Sequence, residues 1–404
     1  MNVVISGPFG AGSLSDEAVL AGLVYHLRRG KHTVTVLSAD PDQTMALYEV
    51  GAVNQENPDA FLSNKEAWAE ISKAHLFVIA GAGVITDAGS PPSRVWLSQL
   101  ESTQTAGLQT ALVGVGAIPI ADRREQARVQ RLLHHCAVGI TARDAAAKQI
   151  IIGYGMSANR ISTNGDPAIA LPCPPGITPA EGRRIGIVLG PKMPSRTEFS
   201  AQPQRTAAPE IKELTQKIVA EFLTGEKTSV LLVHDNTHQI QQLAQSIAKT
   251  APDRITTMAA ESVTEVQKAL AACGAVLSYT YHGLILAAGC GVPVAGFAAE
   301  IGAADLLKSI GQPDACLKEL NATQAVSVIN NLLDNAEQIR AVIKPKFAAL
   351  RKRELQNARM MELLVPRRIS REREMGEKPP REGRGGRMQS REKKSDDWDD
   401  DTLI

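Results

Sequence analysis

Asn2-Val-Val-Ile-Ser-Gly7-Pro-Phe-Gly-Ala-Gly-Ser-Leu-Ser-Asp16-Glu17 is the stretch that decides the fold. Val3–Ile5 reads as a buried strand, and a glycine loop follows it. From Asp16 to Arg29 the apolar residues Ala18, Leu20, Leu23, Val24 and Leu27 recur near a period of 3.6, the mark of a helix. Ser15 is the expected N-cap. Asp16 and Glu17 suit the first turn, Arg28 and Arg29 suit the last, and Gly30 stops the helix. Strand, glycine turn and helix open an α/β sheet, whose ligands bind where strands pass into helices.

The pattern repeats along the chain. Further strands are expected at Thr33–Leu37, Leu76–Ala80, Ala111–Val115 and Val138–Thr141, with a helix from Asp122 to His135. Pro172-Cys-Pro-Pro-Gly176 interrupts any regular structure and reads as a linker. The alternation then restarts with strands at Arg184–Leu189, Ser229–His234, Arg254–Thr257, Ala275–Tyr279 and Pro293–Phe297. Helices are expected at Glu210–Leu223, Thr237–Lys249 and Tyr281–Ala288, and Ser262-Val-Thr-Glu265 is a capping box opening another that reaches Cys273. Two Rossmann-like domains, 1–171 and 183–321, are therefore expected to flank a cleft, joined by a linker at 172–182. Residues 322–365 read as C-terminal helices that pack back across both. Residues 366–404, rich in Arg, Glu and Gly, read as a disordered charged tail.

Composition narrows the function classes. Of 404 residues, 44% are hydrophobic and only 4% aromatic, so aliphatic side chains must pack the cores. A net charge of +1 gives no reason to expect nucleic acid as a partner. The tail's basic stretch offers contact with RNA or an anionic membrane surface, but a solvated tail is the preferred reading. Five scattered cysteines without a CxxC pair argue against a disulfide framework and a zinc site; small apolar residues in packed positions are expected instead. Met1 leads directly into the first strand, and no apolar run is long enough to span a bilayer. The expectation is a soluble cytoplasmic protein.

Several residues at strand ends could carry chemistry. Gly7, Gly10 and Gly12 are spaced GxxGxG, and Asp16 and Glu17 stand where a pyrophosphate would approach, so dinucleotide binding is disfavoured. Carboxylates there suit sugar hydroxyls, or simply the helix dipole. Gly81-Ala-Gly83 and Gly114-Val-Gly116 follow two neighbouring strands and would let backbone amides approach a ligand. His282 begins a helix straight after a strand, where an imidazole can move protons near neutral pH. His234-Asp235 ends another strand and is an alternative cleft pair. No residue cluster calls for a tightly bound metal.

In their order, these segments resemble the polysaccharide pyruvyl transferases of cell-wall and colanic acid pyruvylation. Gly12-Ser-Leu-Ser-Asp16-Glu17-Ala-Val-Leu is similar to the family's GNxGDExxL opening. Leu76 to Asp87 resembles its strand and GGGxxxxD, and Gly114-Val-Gly116 its GxG. Thr141-Ala-Arg143-Asp144 and Asp166-Pro-Ala168 resemble (S/T)xRD and DPA. Tyr281-His282-Gly-Leu-Ile-Leu-Ala-Ala with Gly291-Val-Pro293 resembles RxHxxIxAxxxGVP.

The resemblance covers roughly Met1 to Gly311 and implies a GT-B-like fold of two facing Rossmann-like domains with parallel sheets. It also implies transfer of a pyruvyl group from phosphoenolpyruvate, a co-substrate rather than a cofactor, to two hydroxyls of a glycan or lipid-linked glycan. His282 takes the general acid role. Lys192, Arg143, Gly81, Gly83, Gly114 and Gly116 are expected at the donor, and Asp16, Glu17 and Asp87 at the acceptor. The chain departs from the family where arginines are expected at Thr280 and Gly190, and where a lysine is expected within Ala299 to Gly302. Two alternatives stand beside this reading. One is a GT-B glycosyltransferase using a sugar nucleotide, with Glu300 on the ribose; the other is a non-catalytic glycan-binding or assembly member of the fold.

Overall fold

Consecutive apolar residues in the strands demand cover on both faces of each sheet. The computed structural model, which describes residues 1–55, 64–81, 84–85, 91–134, 138–177, 183–190, 208–225, 227–235, 238–298 and 300–364, meets that demand twice. The first half runs β1 (Asn2–Ser6), α1 (Leu14–Arg29), β2 (Thr33–Ser38), α2 (Pro41–Tyr48), β3 (Gly51–Asn54), α3 (Lys65–Ile71) and β4 (Leu76–Ala80). It continues through α4 (Pro91–Thr105), β5 (Thr110–Val115), α5 (Arg123–His134), β6 (Val138–Ala142), α6 (Ala145–Gly153) and β7 (Ile161–Thr163). Its strands lie in the order β3-β2-β1-β4-β5-β6-β7, all parallel. In β4, Leu76, Val78 and Ala80 share a core with α1, while Phe77 and Ile79 share the opposite one with Trp96 and Leu100 of α4. The two-residue period thus feeds both faces.

A 3-10 turn at Pro167–Ala170 leads through the linker to the second half. There β8 (Arg183–Val188), α7 (Ala208–Leu223), β9 (Thr228–His234), α8 (His238–Ala248), β10 (Ile255–Ala259) and α9 (Val263–Ala271) come first. β11 (Ala275–Ser278), α10 (Tyr281–Gly289), β12 (Val294–Phe297), α11 (Ala303–Ser309) and β13 (Cys316–Leu317) complete a parallel sheet ordered β10-β9-β8-β11-β12-β13. Both sheets reverse their strand order beside the first strand, between β1 and β4 and between β8 and β11. Those are the switch points where the fold opens a crevice.

α12 (Ala322–Asp334) and α13 (Ala336–Leu364) follow, and α13 is a strap. Ile343, Phe347 and Leu350 enter the second half's core, and Met361 enters the first half's. Midway, Arg351 donates to the carbonyls of Ile169, Leu171 and Gly289, at 3.2, 2.7 and 2.9 Å. Glu354 and Asn357, both fully buried, bond to His26 of α1 at 2.7 Å and to the Gly165 carbonyl at 3.2 Å.

Three expectations need correction. Ser13, not Ser15, caps α1: its backbone is extended (φ −84°, ψ 118°) and its hydroxyl accepts from the Asp16 amide, whereas Ser15 lies inside the first turn. The short strands β3, β7 and β13 carry too few apolar residues to stand out in the sequence. Cys173 and Cys290 form a disulfide, so they are not the separate apolar fillers expected. They are 117 residues apart in sequence, and only the fold brings the linker to the end of α10. Cys273 is buried as expected. Cys136 and the tail 366–404 lie outside the described residues.

Candidate functional site

The rims of the two sheets meet at the start of α1 and of α10. Leu14 and Ala18 of α1 belong to the second half's core, and the Leu14 amide donates to Asp235 Oδ1 at 2.9 Å. Asp235 follows β9, so a carboxylate from one half satisfies the otherwise unpaired N-terminus of a helix from the other.

At the centre of this junction stands His282, 4% exposed. Its Nε2 donates to Asp166 Oδ2 at 3.1 Å, which leaves Nδ1 to exchange a proton. Asp166 is the N-cap of the turn that ends the first half and also accepts from the Ala168 amide. Burial pushes the Asp166 carboxyl up, but His282, the Ala168 amide and the Arg143 guanidinium outweigh it and hold the group below the usual carboxylate range. The pair therefore combines an imidazole with an ionised carboxylate that fixes its tautomer. Thr280, where the family resemblance calls for arginine, is the N-cap of α10: its hydroxyl accepts from the Gly283 amide at 3.1 Å. Glu300 Oε1 accepts from the Tyr281 amide at 3.0 Å, so the carboxylate expected on a ribose braces the helix bearing His282.

On one side of His282 the surroundings are acidic. Asp16 is pushed up to about 7, first by burial; Ser13 and His282 lower it, while Glu17 and Asp235 raise it further. Burial likewise raises Asp235 against the Leu14 amide, His234 and His282. His234 Nδ1 donates to the Asp235 carbonyl at 2.9 Å and is buried. Glu17 departs from the acceptor role expected of it. Oε1 accepts from the Gly10 amide at 2.7 Å and Oε2 from the Tyr48 hydroxyl at 2.7 Å, so the carboxylate pins the glycine loop to α2.

On the other side the surroundings are basic. A cleft of about 470 Å³ is walled by Gly165 and Tyr281, the residues immediately before Asp166 and His282. Arg143, Lys308 and Arg353 also line it. The Arg143 guanidinium lies 5.0 Å from the centre of the Tyr281 ring and pairs through Nε with Asp144 at 3.0 Å. His282 itself does not line this cleft. The Tyr281 ring stands edge-on to it at 5.5 Å and separates the two.

The glycines expected at a donor serve packing where they are described. Gly114 (φ 58°) approaches Pro167 so closely that a Cβ would lie 2.5 Å from its ring, and Gly81 (φ 129°) packs on Pro8. Gly116 is buried next to Val115, whose carbonyl accepts from the Arg143 amide. Gly83, Asp87 and Lys192 lie outside the described residues. Among the residues that meet at this junction and cleft, the sequence pointed to His282, Arg143 and Asp16 but assigned no role to Asp166, Tyr281, Lys308 or Arg353. For Asp166 a signal existed, the DPA segment.

The sequence model of a family described as polysaccharide pyruvyl transferase matches residues 16–300, and the chain belongs to that family. No curated protein sequence matches it significantly. Among solved structures it is similar to the UDP-GlcNAc 2-epimerase of Neisseria meningitidis bound to UDP-GlcNAc. The TM-score is 0.60 at 12% identity, covering 90% of this chain and 100% of that one. It is also similar to HepE of Anabaena in complex with UDP-glucose, with a TM-score of 0.58 at 13% identity over 90% and 98%. A glycosyltransferase from Rickettsia africae gives 0.56 at 13% over 90% and 97%. These likenesses establish the GT-B fold.

Proposed function

We propose that this member of the polysaccharide pyruvyl transferase family moves the pyruvyl unit of phosphoenolpyruvate onto two hydroxyls of a glycan, as a ketal. The observation that carries the proposal is the His282–Asp166 pair, a proton donor with its orienting carboxylate, held at the junction of the two sheets. The imidazolium of His282 delivers a proton to the donor's methylene carbon, and the C=C bond becomes a methyl group beside an oxocarbenium-like carbon. One acceptor hydroxyl attacks that carbon and gives its proton to a carboxylate, for which Asp16 is suited by a pKa near 7. The second hydroxyl then displaces phosphate, which departs with the remaining proton. Two methylene and two hydroxyl hydrogens become three methyl hydrogens and one on phosphate, so the step balances.

The division of charge supports the roles. Carboxylates at Asp16 and Asp235 suit neutral, hydroxyl-rich acceptors, and Arg143 beyond Tyr281 suits an anionic donor. Because His282 is nearly enclosed, the halves part around Tyr281 to admit the donor. The acceptor is a glycan or lipid-linked glycan, met in the cytoplasm. Among the described residues no helix is long and apolar enough to cross a membrane.

A second reading, sugar-nucleotide chemistry, is favoured by the fold shared with proteins solved with UDP-sugars. Thermal-shift titration of the full chain with phosphoenolpyruvate, UDP-GlcNAc and UDP-glucose separates the two. Stabilisation by phosphoenolpyruvate alone is expected. Stabilisation by a UDP-sugar alone would transfer the assignment to the second reading.

A further inference from the structure

The cations that the family resemblance calls for are replaced at Thr280 and Gly190, yet three cations line one cleft beside the His282–Asp166 pair. They come from three separate parts of the chain: Arg143 from the end of β6, Lys308 from α11 and Arg353 from α13. Arg143 is 7% exposed and shares its charge with Asp144, which also caps α6 through the Ala147 amide. Lys308 and Arg353 are exposed and enter no salt bridge with any described residue. Asp305 also lines the cleft, so three positive charges face two negative ones; once Arg143 is paired with Asp144, Lys308 and Arg353 outweigh Asp305 by one positive charge. Arg353 interacts electrostatically with Tyr281, which places its charge toward the inner wall. The volume, about 470 Å³, falls within the roughly 300–1,000 Å³ of small-molecule sites.

We infer that this cleft is the anion subsite for a phosphate-bearing donor, with Lys308 and Arg353 supplying the charge that the family pattern places elsewhere. The identification of the donor as phosphoenolpyruvate rests on the function proposed above; the subsite itself does not. Arg143 is held rigid by Asp144 and Tyr281 and sets the position, while Lys308 and Arg353 close on the phosphate and carboxylate oxygens. Since α13 brings Arg353 to the cleft, the strap that joins the halves also completes the site. A donor bound here lies across Tyr281 from His282, one residue from the proton it needs.

Isothermal titration calorimetry on the full chain, with phosphoenolpyruvate, inorganic phosphate and UDP-GlcNAc as probes, tests this. Lys308→Ala and Arg353→Ala, both on exposed side chains, are each expected to weaken phosphoenolpyruvate binding about tenfold, and together about a hundredfold. The melting temperature should hold. If the double variant binds and turns over phosphoenolpyruvate as the parent does, the subsite is wrong and the pyruvyl assignment stands. If the parent binds UDP-GlcNAc but not phosphoenolpyruvate, and the variants weaken that binding, the subsite stands and the pyruvyl assignment falls. Binding of none of the three probes by the parent overturns the subsite.

Discussion

Asp16 shows how far one residue can be read from sequence. Its place after the glycine loop marked it as a rim carboxylate, and the structure sets it in the field of His282, Glu17 and Asp235. With the folded value raised to about 7, the folded chain keeps a proton that the unfolded chain loses near pH 4. Stability therefore falls as pH rises between those values, and the loss is complete above 7. Asp16→Asn removes the penalty. Its stability advantage over the parent, measured by denaturant unfolding, is expected to be near zero at pH 4 and to reach on the order of 4 kcal/mol by pH 8. An advantage independent of pH would contradict the assignment. Glu17, adjacent in sequence and alike in chemistry, differs because Gly10 and Tyr48 occupy its oxygens, a fact no local pattern carries. The partner of His282 was equally hidden, since Asp166 is 116 residues away.

At the scale of elements, central strands and long helices were legible because their periodicity is dictated by burial. Leu76–Ala80 was read with its exact observed bounds, and the Ser262 cap bonds the Glu265 amide as its box motif predicts. Edge strands such as β3 escaped, being short and only half-buried. The covalent link between the linker and α10 escaped too, because pairing of Cys173 with Cys290 depends on where the chain returns after the Pro167 turn. That link and the Asp166–His282 hydrogen bond tie the same two segments at both ends. A bridge spanning 117 residues restricts the unfolded chain, so Cys290→Ser is expected to lower unfolding free energy by about 2–4 kcal/mol under oxidising conditions. Added reductant should have the same effect on the parent and none on the variant. Equal stability of parent and variant without reductant would contradict the bridge.

For the whole molecule, the repeated strand–helix pattern and the proline-rich break already implied two sheets facing across a cleft, and the order of motifs implied the family. What remained hidden was the division of the cleft into an acidic side at Asp16 and Asp235 and a basic side at Arg143, Lys308 and Arg353. Charges from the first helix, the end of the ninth strand and the last helix converge only after both halves and the strap are assembled. Proton transfer through His282, at the boundary between those sides, is the central claim. The most direct test is release of inorganic phosphate from phosphoenolpyruvate by the full chain supplied with cell-envelope glycan acceptors. His282→Gln should lower that rate by about a hundredfold or more while donor affinity stays within about threefold of the parent. Phosphate release by His282→Gln at the parent rate would contradict the account.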